Sequence, residues 1–399
     1  MRSRNQIAAV ALTAVVGLTA AACGSDDGGA TESSGEATPH GYVEGAQEMP
    51  EAQISLAYTA DGGNRLHLLD VATEESAATD LSVEAGQLFE DGRFVYAANG
   101  NRLEVIDSGG WTVDHTEHVH YYRAPVKNLG VLDAQAPITS VAGFGTVMAV
   151  GSQDGDVLVV DRKAMESGEL DEVGTLDTNS TSGFAVPYQD GLVLARGSDP
   201  QQPADTLVYA DTEGSSLGTE QPCQDPQGWA ILRNVVAVSC AQGVALFTES
   251  GDVVSSEFLE YGNRGPRAGD ITFRPRSNYA AASTPGGVWT INSSARTLDW
   301  TPSADPVATA VAPGKDETML ALTDADSLRT LTIGTGEQLA AADQAGTTEA
   351  STLTIDTSRA YLSAPATSQI FEIDYADALR TARTFVTDGA PNLMVEVGR

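Results

Sequence analysis

Phe94-Val95-Tyr96-Ala97-Ala98-Asn99-Gly100-Asn101-Arg102-Leu103-Glu104-Val105-Ile106-Asp107 is the stretch whose reading decides the fold. Two short runs of apolar and β-branched residues flank Asn99-Gly100-Asn101, where a glycine supplies the positive φ that a tight hairpin turn demands. Val147-Met148-Ala149-Val150-Gly151 and Asp156-Val157-Leu158-Val159-Val160-Asp161 repeat the pattern across Gln153-Asp154-Gly155. The same hairpin recurs at 56–70, 192–211, 235–248, 279–292, 319–333 and 360–374, which makes eight instances in all. Most successive instances close about 40 residues apart, the length that a blade of four antiparallel strands occupies. The steps from Asp107 to Asp161 and from Asp161 to Asp211 are longer. With almost no helical period anywhere, the pattern predicts an all-β chain folded as a single β-propeller of eight blades. Seven follow if the irregular repeat at 192–211 is not a blade.

The first repeat has no room for an innermost strand ahead of it, and Pro391-Asn392-Leu393-Met394-Val395-Glu396-Val397 is an isolated apolar stretch near the end of the chain. The N- and C-terminal strands are therefore expected to build one blade together and close the ring. Closure would leave no open sheet edge of the kind that pairs with other chains.

Upstream of the repeats, Arg2 and Arg4 precede an uncharged run, 7–22, that ends in Ala20-Ala21-Ala22 directly before Cys23. So short an apolar run followed at once by polar residues reads as a secretory signal, 1–22, rather than a membrane span. Small residues before a cysteine resemble the bacterial lipobox, although leucine is more usual at the position of Ala20. That resemblance implies cleavage before Cys23 and acylation of its sulfur; the alternative is an ordinary secretion signal. Residues 23–50 follow as a flexible acidic tether, since 24–39 hold no large apolar residue to bury. The propeller domain is assigned to 51–399. The expected location is outside the cytoplasm, lipid-anchored to the bacterial cell membrane and touching the membrane through the anchor only.

Formal charge is −33, and removing the signal takes away two arginines and no acid, leaving −35. Nucleic acid and anionic lipid would be repelled, so nucleic acid is excluded as a partner, while divalent cations or a basic protein patch would be attracted. Acidity also serves simply to keep an exported protein soluble and monomeric. With Cys23 assigned to the anchor, Cys223 and Cys240 remain as an even pair in an oxidising compartment, and a disulfide is expected.

Three of the five histidines fall within Asp114-His115-Thr116-Glu117-His118-Val119-His120-Tyr121-Tyr122. On a strand, His118 and His120 would project from one face, where two imidazoles can share one ion at about 2.0–2.1 Å. His115 would reach round from a preceding loop, or Asp114 or Glu117 would complete the set. His40, in Pro39-His40-Gly41-Tyr42-Val43-Glu44-Gly45, could capture a metal ion transiently. His67 sits within Arg65-Leu66-His67-Leu68-Leu69 and reads as a structural strand residue. Nucleophile elbows, metalloprotease helices and phosphate loops are missing from the sequence, so no catalytic residue is assigned and the chain is not expected to be an enzyme.

The 39–45 run, the segment from Trp111 through His118-Val119-His120-Tyr121-Tyr122-Arg123-Ala124, and Gly183-Phe184-Ala185-Val186-Pro187 together resemble the AztD family of exported zinc metallochaperones. The resemblance implies a β-propeller that binds zinc through His118 and His120 and passes it to the solute-binding protein of a metal ABC transporter. Two departures stand against the family pattern. Thr181-Ser182 replaces a pair of histidines before the Gly183 run, and Gln227 and Trp229 replace an imidazole and an acid after Cys223. Neither substitute is a good zinc ligand. A propeller serving as a cell-surface protein-interaction module without metal is the alternative.

Overall fold

The computed structural model describes residues 43, 45–60, 62–114, 118–251, 253–323, 326–348 and 350–399. Within them lie eight four-stranded antiparallel sheets and one three-stranded sheet. The signal at 1–22, Cys23, His40 and His115 all lie outside the described residues.

Leu393–Val397, Ser55–Thr59, Arg65–Asp70 and Ser76–Asp80 form the first sheet, so the last apolar stretch of the chain supplies its innermost strand. Ser55 stands opposite Val397 and Thr59 opposite Leu393, which closes the ring through backbone pairing between the two ends of the domain. Gln87–Glu90, Phe94–Asn99, Arg102–Asp107 and Lys127–Asp133 form the second sheet in the same inside-to-outside order. Six further sheets follow along the chain, each from four consecutive strands. The repeat at 192–211 is one of these, with Ala185–Tyr188, Gly191–Arg196, Thr206–Ala210 and Ser216–Pro222 in regular order.

Alternation along each strand explains how the sheets hold one another. Leu56 and Tyr58 pack with Tyr361, Ile370 and Phe385 of the eighth sheet. Ala57 between them faces the other way, joining Leu66 and Leu68 against Val95, Ala97 and Ile106 of the second. Period-2 patterning therefore feeds two cores at once, one on each side of every sheet. Comparable clusters seal the second sheet to the third through Tyr96 and Met148, and the fifth to the sixth through Leu246 and Trp289. The expected disulfide is formed: Cys223 and Cys240 lie buried in the cluster between the fourth and fifth sheets. A loop of 17 residues gives about 3 kcal/mol in the chain-entropy model. His67 is buried and stacks on Tyr58 with ring centroids 4.9 Å apart, as a structural residue should.

Both long steps between repeats hold insertions between a third and a fourth strand. In the second sheet, Gly110–Asp114 and Val119–Arg123 form an extra hairpin, and Gln47–Met49 adds to its far edge to make the three-stranded sheet. Part of the segment read as tether is therefore a strand, because three in-register pairings hold 47–49 although its own residues show no apolar period. In the third sheet the insertion is the short helix Arg162–Ser167, capped by the Asp161 carboxylate on the Lys163 and Ala164 N–H groups and ended by Gly168 at φ 92°. No helix among the described residues is long and apolar enough to cross a membrane.

Candidate metal centre

The hairpin of the three-stranded sheet, hereafter the arm, places its functional side chains by register. Residues directly opposite one another share a face. Val113 stands opposite His120, while Trp111 and Glu48 flank Tyr122 on either side, so all five project from one surface. At the arm's root Trp111, Tyr122 and Ala46 bury one another in a small core, with the two rings stacked at 5.4 Å. Arg93 lies 4.0 Å below the Trp111 ring and is itself gripped by the Asp107 carboxylate, with its Nη2 2.7 Å from Oδ2. Towards the tip the same face becomes wet: His118 is exposed and His120 half-buried.

The structure brings His118 and His120 together. Their ring centroids are 4.9 Å apart with planes at 83°. Two imidazoles bound to one tetrahedral ion at about 2.0–2.1 Å would put their centroids about 5 Å apart. The observed spacing fits that requirement. His120 Nδ1 lies 2.7 Å from Glu48 Oε1 on the neighbouring strand. Glu48 had no signal in the sequence, where it is one more acid in a polar tract; only the pairing of Gln47–Met49 with Val119–Arg123 delivers it.

Asp114 does not join the pair. It stands opposite Val119, which puts it on the reverse face of the hairpin, and its Oδ2 accepts from Arg276 Nη1 at 2.7 Å. Arg276 sits in the first loop of the sixth sheet, between Thr272–Phe273 and Tyr279–Thr284. The arm leaves from the second sheet, four places away round the ring, so this ion pair spans the mouth. Among the described residues no group of three or more His, Cys, Asp or Glu side chains converges as a metal would require. The donor set described here is therefore two imidazoles.

Thr181, Ser182 and Gln227 occupy a different place. They precede the innermost strands Ala185–Tyr188 and open Gln227–Leu232, whereas the arm departs from the end of a strand parallel to those. One strand length, roughly 15 Å or more, separates the two ends of the ring. Side chains at those positions cannot reach His118 and His120, so the departures from the family pattern do not touch the arm. Ser182 Oγ instead lies 3.4 Å from Thr139 Oγ1, and Gln227 Nε2 donates to Asp225 Oδ2 at 3.4 Å.

Beneath the arm the mouth is charged. A cavity of about 120 Å³ is lined by Arg93, Arg162, Arg399, Asp91, Glu166 and Trp111 among others. Burial pushes the Asp91 carboxyl up, but Arg162 outweighs it, with Nε 2.6 Å from Oδ2, and so do hydrogen bonds from Tyr96 and the Phe94 N–H; the group is held below its ordinary range. Tyr96 is pushed well up, by burial first and then by the Asp91 charge. Glu90 and Glu396 are both raised by burial, partly offset by Arg399, which pairs with each of them.

No family model and no curated protein matches the sequence. Similar solved structures exist. AztD from Citrobacter koseri, in two structures of which one is the apo form, has a TM-score of 0.74 and 16% identity to this chain, covering 87% of it and 98% of the AztD chain. The dihydro-heme d1 dehydrogenase NirN in complex with DHE has a TM-score of 0.56 and 14% identity, covering 86% of this chain and 75% of NirN. The computationally designed Ika8 protein has a TM-score of 0.53 and 15% identity, covering 79% and 92%. At such identities the likeness is one of fold, a β-propeller, and the AztD structures bear out the resemblance read from the sequence at that level.

Proposed function

We propose that this chain is an exported, lipid-anchored β-propeller that takes up zinc on its arm and hands it to the solute-binding protein of a metal ABC transporter. The observation that carries this reading is the His118–His120 pair, two imidazoles on one face with centroids 4.9 Å apart. Two protein nitrogens leave coordination positions for water or for a receiving protein's ligands, which is what transfer needs and a closed structural site forbids. Because the arm stands at the mouth rather than in a sheet core, an incoming donor approaches without unpacking the ring. The strongly acidic surface draws the cation in over a long range. Cys23 holds the protein at the outer face of the membrane, and His40 lies on the route between anchor and arm in the sequence. No catalysis is assigned, and the protein acts as a monomer.

The alternative, a surface interaction module without metal, draws its support from the two-donor set of the described residues. Metal analysis of purified residues 40–399 beside a His118→Ala, His120→Ala double variant separates the two. Zinc bound by the wild type and lost in the variant is the expected result. An equal zinc content in both proteins would overturn the proposal. The exposed and half-buried positions of the two histidines mean that the variant should fold.

A further inference from the structure

Glu48 is the residue of the arm that has no packing reason to be where it is. Its side chain is about half exposed, and the strand that carries it, Gln47–Met49, buries little of its own surface. Yet the register is definite: Gln47 opposite Arg123, Glu48 opposite Tyr122, Met49 opposite Tyr121. Glu48 therefore lies diagonally across from His120 on the shared face, within reach of a long side chain. Its Oε1 meets His120 Nδ1 at 2.7 Å.

The chemistry of that contact is directional. An ionised carboxylate only accepts, so Nδ1 must carry the hydrogen, and in a neutral imidazole the lone pair then resides on Nε2. A carboxylate on the far nitrogen of a ligating histidine fixes its tautomer, holds the ring plane and makes the other nitrogen more basic. Residue spacing in 118–120 cannot supply this, because alternation sets the face of a side chain and leaves its tautomer open.

We propose that Glu48 is the positioning residue of the arm: it holds His120 in the Nδ1–H tautomer so that Nε2 is presented beside His118 for an incoming ion. Docking of Gln47–Met49 onto the hairpin is then part of building the site, and the segment between anchor and ring has a task beyond spacing. The use of this geometry for zinc rests on the reading above, but the orientation itself does not require metal.

Nitrogen-15 NMR of the histidine rings in metal-free residues 40–399 tests it, with Glu48→Ala and Glu48→Gln beside the wild type. His120 in the wild type should show a protonated Nδ1 and an unprotonated Nε2. Glu48→Ala should redistribute the proton between the two nitrogens, and Glu48→Gln, whose amide oxygen still accepts, should largely restore the wild-type pattern. Zinc affinity should fall roughly ten- to hundredfold in the alanine variant and less in the glutamine variant. Amide exchange at 119–123 reports whether the strand has stayed docked in each. A protonated Nε2 in the wild type, or an unchanged tautomer in Glu48→Ala, would overturn the proposal. Failure of the wild type to bind zinc while the tautomer pattern holds would overturn the transfer reading and leave the role of Glu48 standing.

Discussion

A sheet of the ring and the sheet of the arm are built from the same hairpins and are stabilised by different means. Each ring sheet has a packed cluster on both sides, such as Leu56 and Tyr58 on one flank and Ala57 and Leu66 on the other. Among the described residues the arm has one small cluster, buried Ala46, Trp111 and Tyr122 with the partly buried Val43, Val113 and Ala124 against them, and polar contacts besides: Arg93 beneath Trp111, Arg123 on Asp70 and Arg276 on Asp114. The candidate site sits where the packing is thinnest. A region with little buried apolar area can open on its own without unfolding the rest, and ligand-handling segments are drawn from such regions.

The comparison is tested most severely in the ring. Asp91→Asn removes the close counter-charge of the buried Arg162 guanidinium, leaving only the longer 3.5 Å contact with Glu166, and should cost about 3 kcal/mol in denaturant unfolding at neutral pH. A folded-state pKa held below the ordinary value of 3.8 contributes stability that is present above that value and lost as pH falls through the lower one. The variant should therefore also lose that portion of the acid sensitivity, and a wild-type midpoint and pH profile would show that the pair does not support the ring. Trp111→Ala comes next. Deleting a buried tryptophan typically costs about 3–5 kcal/mol, more than so small a core can supply, so the arm should detach while the ring persists. Amide exchange should accelerate strongly across 110–114, 119–123 and 47–49, with the global unfolding free energy moved by less than about 1 kcal/mol. A matching loss of global stability would mean that arm and ring are one cooperative unit. The smallest effect is expected from Asp114→Asn, which removes a partly exposed ion pair worth about 0–1 kcal/mol. Faster exchange near 112–114, with the difference from wild type shrinking in high salt, is the outcome to look for.

The ring was open to reading because its information is local and repeated. A two-residue alternation between glycine-containing turns says strand, hairpin and face at once, and even the closing partner, Leu393–Val397, announces itself as an apolar run with no hairpin mate. The arm gave up only what it carries in contiguous residues, namely the shared face of His118 and His120. Glu48, Arg276 and the strand Gln47–Met49 are brought to it from far along the chain, and nothing periodic marks them. The six-residue helix at Arg162–Ser167 escaped for another reason, since it is too short to display a helical period and shows itself only through its caps. Asp114 looked like a third ligand by proximity in sequence; the antiparallel register turned it to the other face.

Ring closure between Ser55–Thr59 and Leu393–Val397 also has a consequence in time. A first sheet whose innermost strand comes from the far end of the domain must wait, three strands deep, until nearly the whole domain has been made. Such long-range pairing makes folding slow and late. Until that strand pairs, the other three stand as an open sheet, and its arrival fastens the circle.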